Sequence, residues 1–203
     1  DKSMALLKLI KIIDDIRKEA NVNFEYTIIG GGPFLDVVKK EAMAFNLKIN
    51  FLGYSKDVKD IMRKSDIFAY FSYHYNFPIS ILEAMACGLP VITNDVGAVK
   101  EMIKSGHEGL IAENLNDYKK LLTSLILNKK LRFNLGTNAR EKVKKCFDWN
   151  ILYKRYKKIY CGLNKVRIQY YQYKPIISLI DFTYLKLYKN LPYIEKQLLN
   201  KFF

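Results

Sequence analysis

The sequence predicts an α/β fold, a doubly wound parallel sheet with helices on both faces. Two observations predict it. Short β-branched and aromatic runs alternate with longer stretches whose apolar residues recur every three or four positions. The first of those runs stops at Gly30-Gly31-Gly32-Pro33 and a helical pattern follows. Strand, glycine turn and helix then recur, and strands that alternate with helices of this length run parallel, covered on both faces.

Taken in order, Met4 to Ile16 is an amphipathic helix and Phe24 to Ile29 a strand, and after the glycine turn a second helix runs through Ala44. Lys48 to Gly53 is the next strand, Val58 to Lys64 a short helix, Ile67 to Phe71 a strand, Ile79 to Cys87 a helix and Pro90 to Thr93 a strand. Gly109 to Ala112 adds one more strand, and the chain is helical from there to about Tyr160. These elements define a first domain at residues 1–160. Residues 161–203, a basic, Tyr-rich run broken by Pro175 and Pro192, form an extension expected to be helical.

In doubly wound sheets ligands bind beyond the carboxyl ends of the strands, near the switch in strand order. The glycine turn after Ile29, the segment after Phe71 and Asn94-Asp95-Val96-Gly97 after Thr93 all fall on that rim.

Composition narrows the function classes. The 203 residues, half of them apolar, can bury one substantial core. Cys87, Cys146 and Cys161 give neither a disulfide framework nor the spacing of a zinc site, so a reducing, cytoplasmic setting is expected. His74 and His107 are the only histidines, which excludes a histidine-rich metal site. No apolar run reaches the ~18 residues of a membrane span, and there is no signal peptide. Asp1 in place of an initiator methionine suggests an upstream segment. The net charge of +14 is uneven. Residues 151–203 hold 11 Lys/Arg against 2 Asp/Glu, and nine of the fifteen tyrosines. Such a Lys/Tyr mixture suits an anionic membrane surface, at the inner face of the membrane. An AT-rich codon bias is the competing explanation. No nucleic-acid motif accompanies the charge, so nucleic acid is not an expected partner.

The stretch that carries chemistry runs from Tyr75 to Ile92. Asn76-Phe77-Pro78 is a turn, and Ile79 opens a helix whose free amides and positive dipole end can hold a diphosphate. Ser80 offers a hydroxyl, and Glu83 stands near enough to accept hydrogen bonds from ribose. Ser80 as N-cap with Glu83 as its capping-box partner is the competing, purely structural reading.

This stretch is similar to the signature of family 4 glycosyltransferases, in which a Glu, seven residues and a second Glu precede an Ala-Met-Ala-Cys-Gly-x-Pro-Val run. Here Glu83-Ala84-Met85-Ala86-Cys87-Gly88-Leu89-Pro90-Val91 matches the second half. Gly30-Gly31-Gly32-Pro33, Phe51-Leu52-Gly53-Tyr54 and Asp95-Val96-Gly97 through Glu101 match three further elements in order, over residues 1 to about 160. The chain therefore resembles the C-terminal, Rossmann-like half of a GT-B glycosyltransferase. The resemblance implies transfer of a sugar from a nucleoside diphosphate sugar, with retention and without metal or cofactor, in cell-envelope polysaccharide or glycolipid synthesis. It places ribose on Glu83, the base near Gly53, and phosphate and sugar among Gly31, Gly32, Asn76, Phe77, Pro78, Ile79 and Ser80.

Two departures qualify it. Tyr75 stands where the family's first, catalytic Glu belongs; its phenol can hydrogen-bond a sugar but supplies no charge. The family's domain also opens with a strand ending in Gly-Arg that precedes the first helix, and this sequence starts at that helix. The resemblance thus implies a sheet lacking its first, central strand, between the strand ending at Ile29 and that ending at Phe71. It also implies an N-terminal acceptor domain as partner. The alternative from another class is a non-catalytic nucleotide-binding or interaction module.

Overall fold

A computed structural model describes residues 2–45, 47–74 and 76–163. The chain divides into a unit of residues 1–143 and a second of residues 144–203. In the first unit, α1 (Lys2–Ala20) leads to β1 (Tyr26–Ile29), α2 (Leu35–Ala42), β2 (Ile49–Gly53), α3 (Val58–Arg63) and β3 (Phe68–Ala69). There follow α4 (Ile79–Ala86), β4 (Val91–Asn94), α5 (Val99–Met102), β5 (Leu110–Ala112), α6 (Leu115–Leu127) and α7 (Lys129–Cys146). The described part of the second unit holds α8 (Trp149–Leu163).

Every described strand pair is parallel, as the alternation of elements predicts, and the strands form two sheets, β1-β2 and β3-β4-β5. β1 and β3 do not pair with each other. The expected gap at the centre is therefore real, and burial reports it. β4, paired on both edges, is buried through Val91, Ile92 and Thr93, whereas the equally apolar Ile28, Ile29 and Phe68 stay partly exposed. β3 is also shorter than the Ile67 to Phe71 run predicts, because only the edge facing β4 has a ladder to extend it.

Side chains tie the sheets together where backbone does not. Ile13 and Ile16 of α1 and Tyr118, Leu122 and Leu125 of α6 form one cluster that gathers Tyr26 from β1 and Ala69 and Phe71 from its surroundings. Tyr118 is fully buried, and its hydroxyl donates to the Tyr70 carbonyl at 3.1 Å, with that of Ile92 at 3.4 Å. Burial pushes this phenol well above its ordinary range, with Tyr26 adding to the effect. α6 is fixed at both ends: Asn114 accepts from the Asp117 amide at 2.9 Å, and Arg132 donates to the carbonyls of Leu125 and Ile126, each at 2.8 Å.

A second cluster packs Ile81, Ala84 and Met85 of α4 against Val91, Val99, Met102 and Ala139. α7 reaches it through backbone. A Cβ built on Gly136 would lie 2.1 Å from the Gly88 carbonyl oxygen, so only glycine permits this approach. Gly88 itself has φ +80, the left-handed turn that ends α4.

Candidate functional site

Hydrogen bonds stitch the rim segments to each other. At the end of β1 the Gly30 amide donates to the Gly53 carbonyl at 2.7 Å, with φ +126 at Gly30 and +63 at Gly53. Gly31 and Gly32 stand exposed beside it, with open space where a Cβ would be. At the end of β3 the Ser72 amide donates to Asn94 Oδ1 at 3.0 Å, and Asn94 Nδ2 donates to the Ser72 carbonyl at 2.7 Å. That paired bond locks the β3–α4 loop to the end of β4. Farther along, the Ala98 amide donates to the Asn76 carbonyl at 2.9 Å, joining the same loop to the start of α5.

α4 begins where this loop ends. Its N-cap is Pro78, with no side-chain cap, so the capping-box reading of Ser80 and Glu83 is overturned. Pro78 opens the helix because its ring suits an extended φ of −75 and it has no amide to leave unpaired. Ser80 is then the second helical residue and Glu83 the fifth, one turn in, where neither can serve a cap. The Ile81 amide turns back to the Pro78 carbonyl at 3.0 Å, which leaves the amides of Ile79 and Ser80 without an intrahelical acceptor. A helix start with free amides, a hydroxyl and a nearby carboxylate has the donors to hold a phosphate and the acceptor to hold a polyol.

A cavity of about 950 Å³ in the first unit collects Gly30, Tyr54, Ser72, Ser80 and Glu83 at these strand ends and continues between β1 and β3. Of the residues the sequence proposes, the structure thus brings Ser80 and Glu83 together, with Gly53 held behind Gly30. Gly31 and Gly32 lie on the adjoining exposed turn. Phe77 packs into the α4 core and Pro78 is buried, while Asn76 and Ile79 are exposed. Tyr75 lies outside the described residues, as do residues 164–203 of the extension. Ser72, Asn94 and Tyr54 enter the sequence reading only as members of rim segments or of a motif, not as individual site residues. Only the position of Ser72 and Asn94 at strand ends signalled them. α1 adds a cation to the same loop, with Lys8 Nζ 5.0 Å from the centre of the Tyr73 ring.

The sequence profile described as Glycosyl transferases group 1 matches residues 5–142. The chain belongs to that family. Among curated relatives, an N,N'-diacetylbacillosaminyl-diphospho-undecaprenol alpha-1,3-N-acetylgalactosaminyltransferase of Campylobacter jejuni is 35% identical over 114 residues, covering 55% of this chain and 30% of the relative. An uncharacterized glycosyltransferase of Methanocaldococcus jannaschii is 34% identical over 154 residues, 73% of this chain and 43% of the relative. The chain therefore spans less than half the length of these relatives. In fold it is similar to Anabaena HepE, solved in complex with UDP and glucose, with a TM-score of 0.66 at 19% identity over 75% of this chain and 44% of that one. This glycosyltransferase domain is thus an α/β, GT-B-type unit with its parallel strands and glycine turn where the sequence puts them. Among the described residues no helix is long and apolar enough to cross a membrane.

Proposed function

We propose that this domain is the donor-binding half of an enzyme that moves a hexosyl group from a nucleoside diphosphate sugar to an acceptor, with retention and without metal or cofactor. The observation that carries the reading is the convergence of Ser80 and Glu83, on the first turns of α4, with Gly30 at one cavity beyond the strand ends. Glu83 is exposed there, so its carboxylate can accept hydrogen bonds from both ribose hydroxyls. The amides of Ile79 and Ser80, with the Ser80 hydroxyl, hold a phosphate. Those donors gain strength as the departing diphosphate takes on charge, so they favour bond cleavage over simple binding. Gly31 and Gly32 let the backbone approach the ligand, and Gly53 with Tyr54 borders the base. Tyr75 contributes a sugar hydrogen bond in place of a carboxylate.

The acceptor is a lipid-linked saccharide in cell-envelope synthesis. The Campylobacter jejuni relative, whose name specifies an undecaprenol diphosphate, supports this. So does α8, which carries four Lys/Arg and no acidic residue, with Trp149, Tyr153 and Tyr160 exposed. Such a helix fits the anionic cytoplasmic face of a membrane.

Calorimetric titration with UDP, GDP and their sugar conjugates tests the donor site, run on the chain and on Glu83→Ala after circular dichroism shows equal folding. One nucleotide is expected to bind, and the variant to lose about 1–3 kcal/mol of affinity, the worth of hydrogen bonds to a charged group. A folded chain that binds none of them, or a variant that binds as well as the parent, refutes the donor site.

A further inference from the structure

α1 touches the loop that leads to the donor rim. Lys8, exposed on this helix, holds its Nζ 5.0 Å from the centre of the Tyr73 ring, and Tyr73 stands in the loop between β3 and α4. An ammonium so placed is attracted by the negative face of the ring. The ring itself is held from behind. Its centroid lies 5.5 Å from that of Phe71, edge to face at 86°, and Phe71 stands 5.6 Å from Tyr118 at 83°. Tyr118 is fully buried, and its hydroxyl donates to the Tyr70 carbonyl at 3.1 Å. Lys8 therefore closes a row of side chains that starts in the core and ends on the loop.

The backbone on either side of Tyr73 is anchored from elsewhere. Ser72 is bonded to Asn94 through its amide and its carbonyl, at 3.0 and 2.7 Å, and the Asn76 carbonyl accepts from the Ala98 amide at 2.9 Å. Those anchors come from the end of β4 and the start of α5. Between them the Ser72 hydroxyl donates to the His74 carbonyl at 3.2 Å, a bond internal to the loop. The Tyr73 ring, 39% exposed, carries the contact to α1. Held by β4 and α5 through backbone and by α1 through this ring, the loop keeps one position, and the free amides of Ile79 and Ser80 that follow Pro78 inherit it. Donors already in place bind an anion without the cost of ordering them.

We propose that Lys8 is a positioning residue of the donor site. Its ammonium, set over Tyr73, holds the β3–α4 loop so that the first turn of α4 meets the phosphates of the ligand. Lys8 acts through Tyr73 and not by touching the ligand. The inference deepens the donor-site reading and rests on it.

Three substitutions separate the parts of this contact. Lys8→Met keeps the length of the side chain and removes its charge, Lys8→Arg keeps a cation that stacks on a ring, and Tyr73→Leu removes the ring. Two measurements on the 203-residue chain read them. In NMR the ring current of Tyr73 is expected to move the Lys8 ε-methylene protons upfield, and Tyr73→Leu to abolish that shift. In titrations with UDP and with GDP, Lys8→Met and Tyr73→Leu are each expected to weaken the nucleotide that binds by about two- to fivefold, the worth of an exposed contact of this kind. The double variant is expected to bind no more weakly than either single one, and Lys8→Arg to bind as the parent does, with urea midpoints unchanged throughout. An absent upfield shift in the parent overturns the contact. Losses that add in the double variant mean that Lys8 meets the ligand directly, and a Lys8→Met chain that binds as tightly as the parent, or one whose urea midpoint falls while affinity holds, reduces the contact to a surface or folding role; each overturns the positioning role and leaves the donor site standing. A parent chain that binds neither nucleotide overturns both.

Discussion

Gly136→Ala probes a place where a helix docks directly on backbone. Two effects oppose each other. Alanine favours a helix interior over glycine by about 1 kcal/mol, so propensity alone predicts a more stable protein. Packing predicts the reverse. The new Cβ would sit 2.1 Å from the Gly88 carbonyl oxygen, 3.1 Å from its carbon and 3.4 Å from the Pro90 nitrogen. Restoring an ordinary 3.4 Å contact asks α7 to retreat by about 1.3 Å, and the obstructing atoms are backbone of a turn with φ +80 that cannot swing aside. Overpacking costs about 1–3 kcal/mol, and a rigid obstacle puts this site at the upper end. Subtracting the propensity gain leaves a net loss of about 2 kcal/mol, or roughly 1 M in the urea midpoint at a usual slope of about 2 kcal/mol per molar. Urea unfolding followed by circular dichroism reads it. A variant with an unchanged or higher midpoint would show that α7 yields without cost and that the close approach is incidental.

Tyr118→Phe removes the buried hydroxyl that bonds the Tyr70 carbonyl, and is expected to cost about 1 kcal/mol in urea unfolding. The same phenol predicts alkaline sensitivity. Its pKa is raised in the folded state, so its contribution is intact below the unfolded value near 10 and falls away above it as the unfolded chain ionises; stability measured from pH 9 to 11 should decline less in Tyr118→Phe. Asn94→Ala leaves the buried Ser72 with its amide and carbonyl unpaired, at about 1–3 kcal/mol of stability, and loosens the loop before α4 so that nucleotide affinity falls as well. Equal affinity in that variant would separate the loop from the donor site. Flotation with phosphatidylserine vesicles should recover the chain at low salt, and Trp149→Ser with Lys154→Glu and Lys158→Glu should abolish it; recovery with neutral phosphatidylcholine alone would remove charge from the account.

Much of the fold was legible because its signals are local. β-branched runs, helical spacing and the Gly30–Pro33 turn are properties of a few consecutive residues, and they placed every strand end to within two residues of where it forms. The rim followed, since parallel strands must all end on the same side, and the Glu83 to Val91 run carried the family resemblance. The short α5, Val99–Met102, was not legible, because four residues show no period.

What only the tertiary structure decided is how distant segments share space. Ser80 and Glu83 have the spacing of a capping box, and only the observed start of α4 at Pro78 frees them for a ligand. Asn94 locks onto Ser72 across 22 residues, Gly136 meets Gly88, and Tyr118 reaches Tyr70 across 48. The two sheets are joined through the side chains of α1 and α6, with an open slot between β1 and β3. Periodicity determines which residues form an element and which face it buries. Which backbone lies beside which depends on contacts summed over the whole chain, and no local stretch of sequence records them.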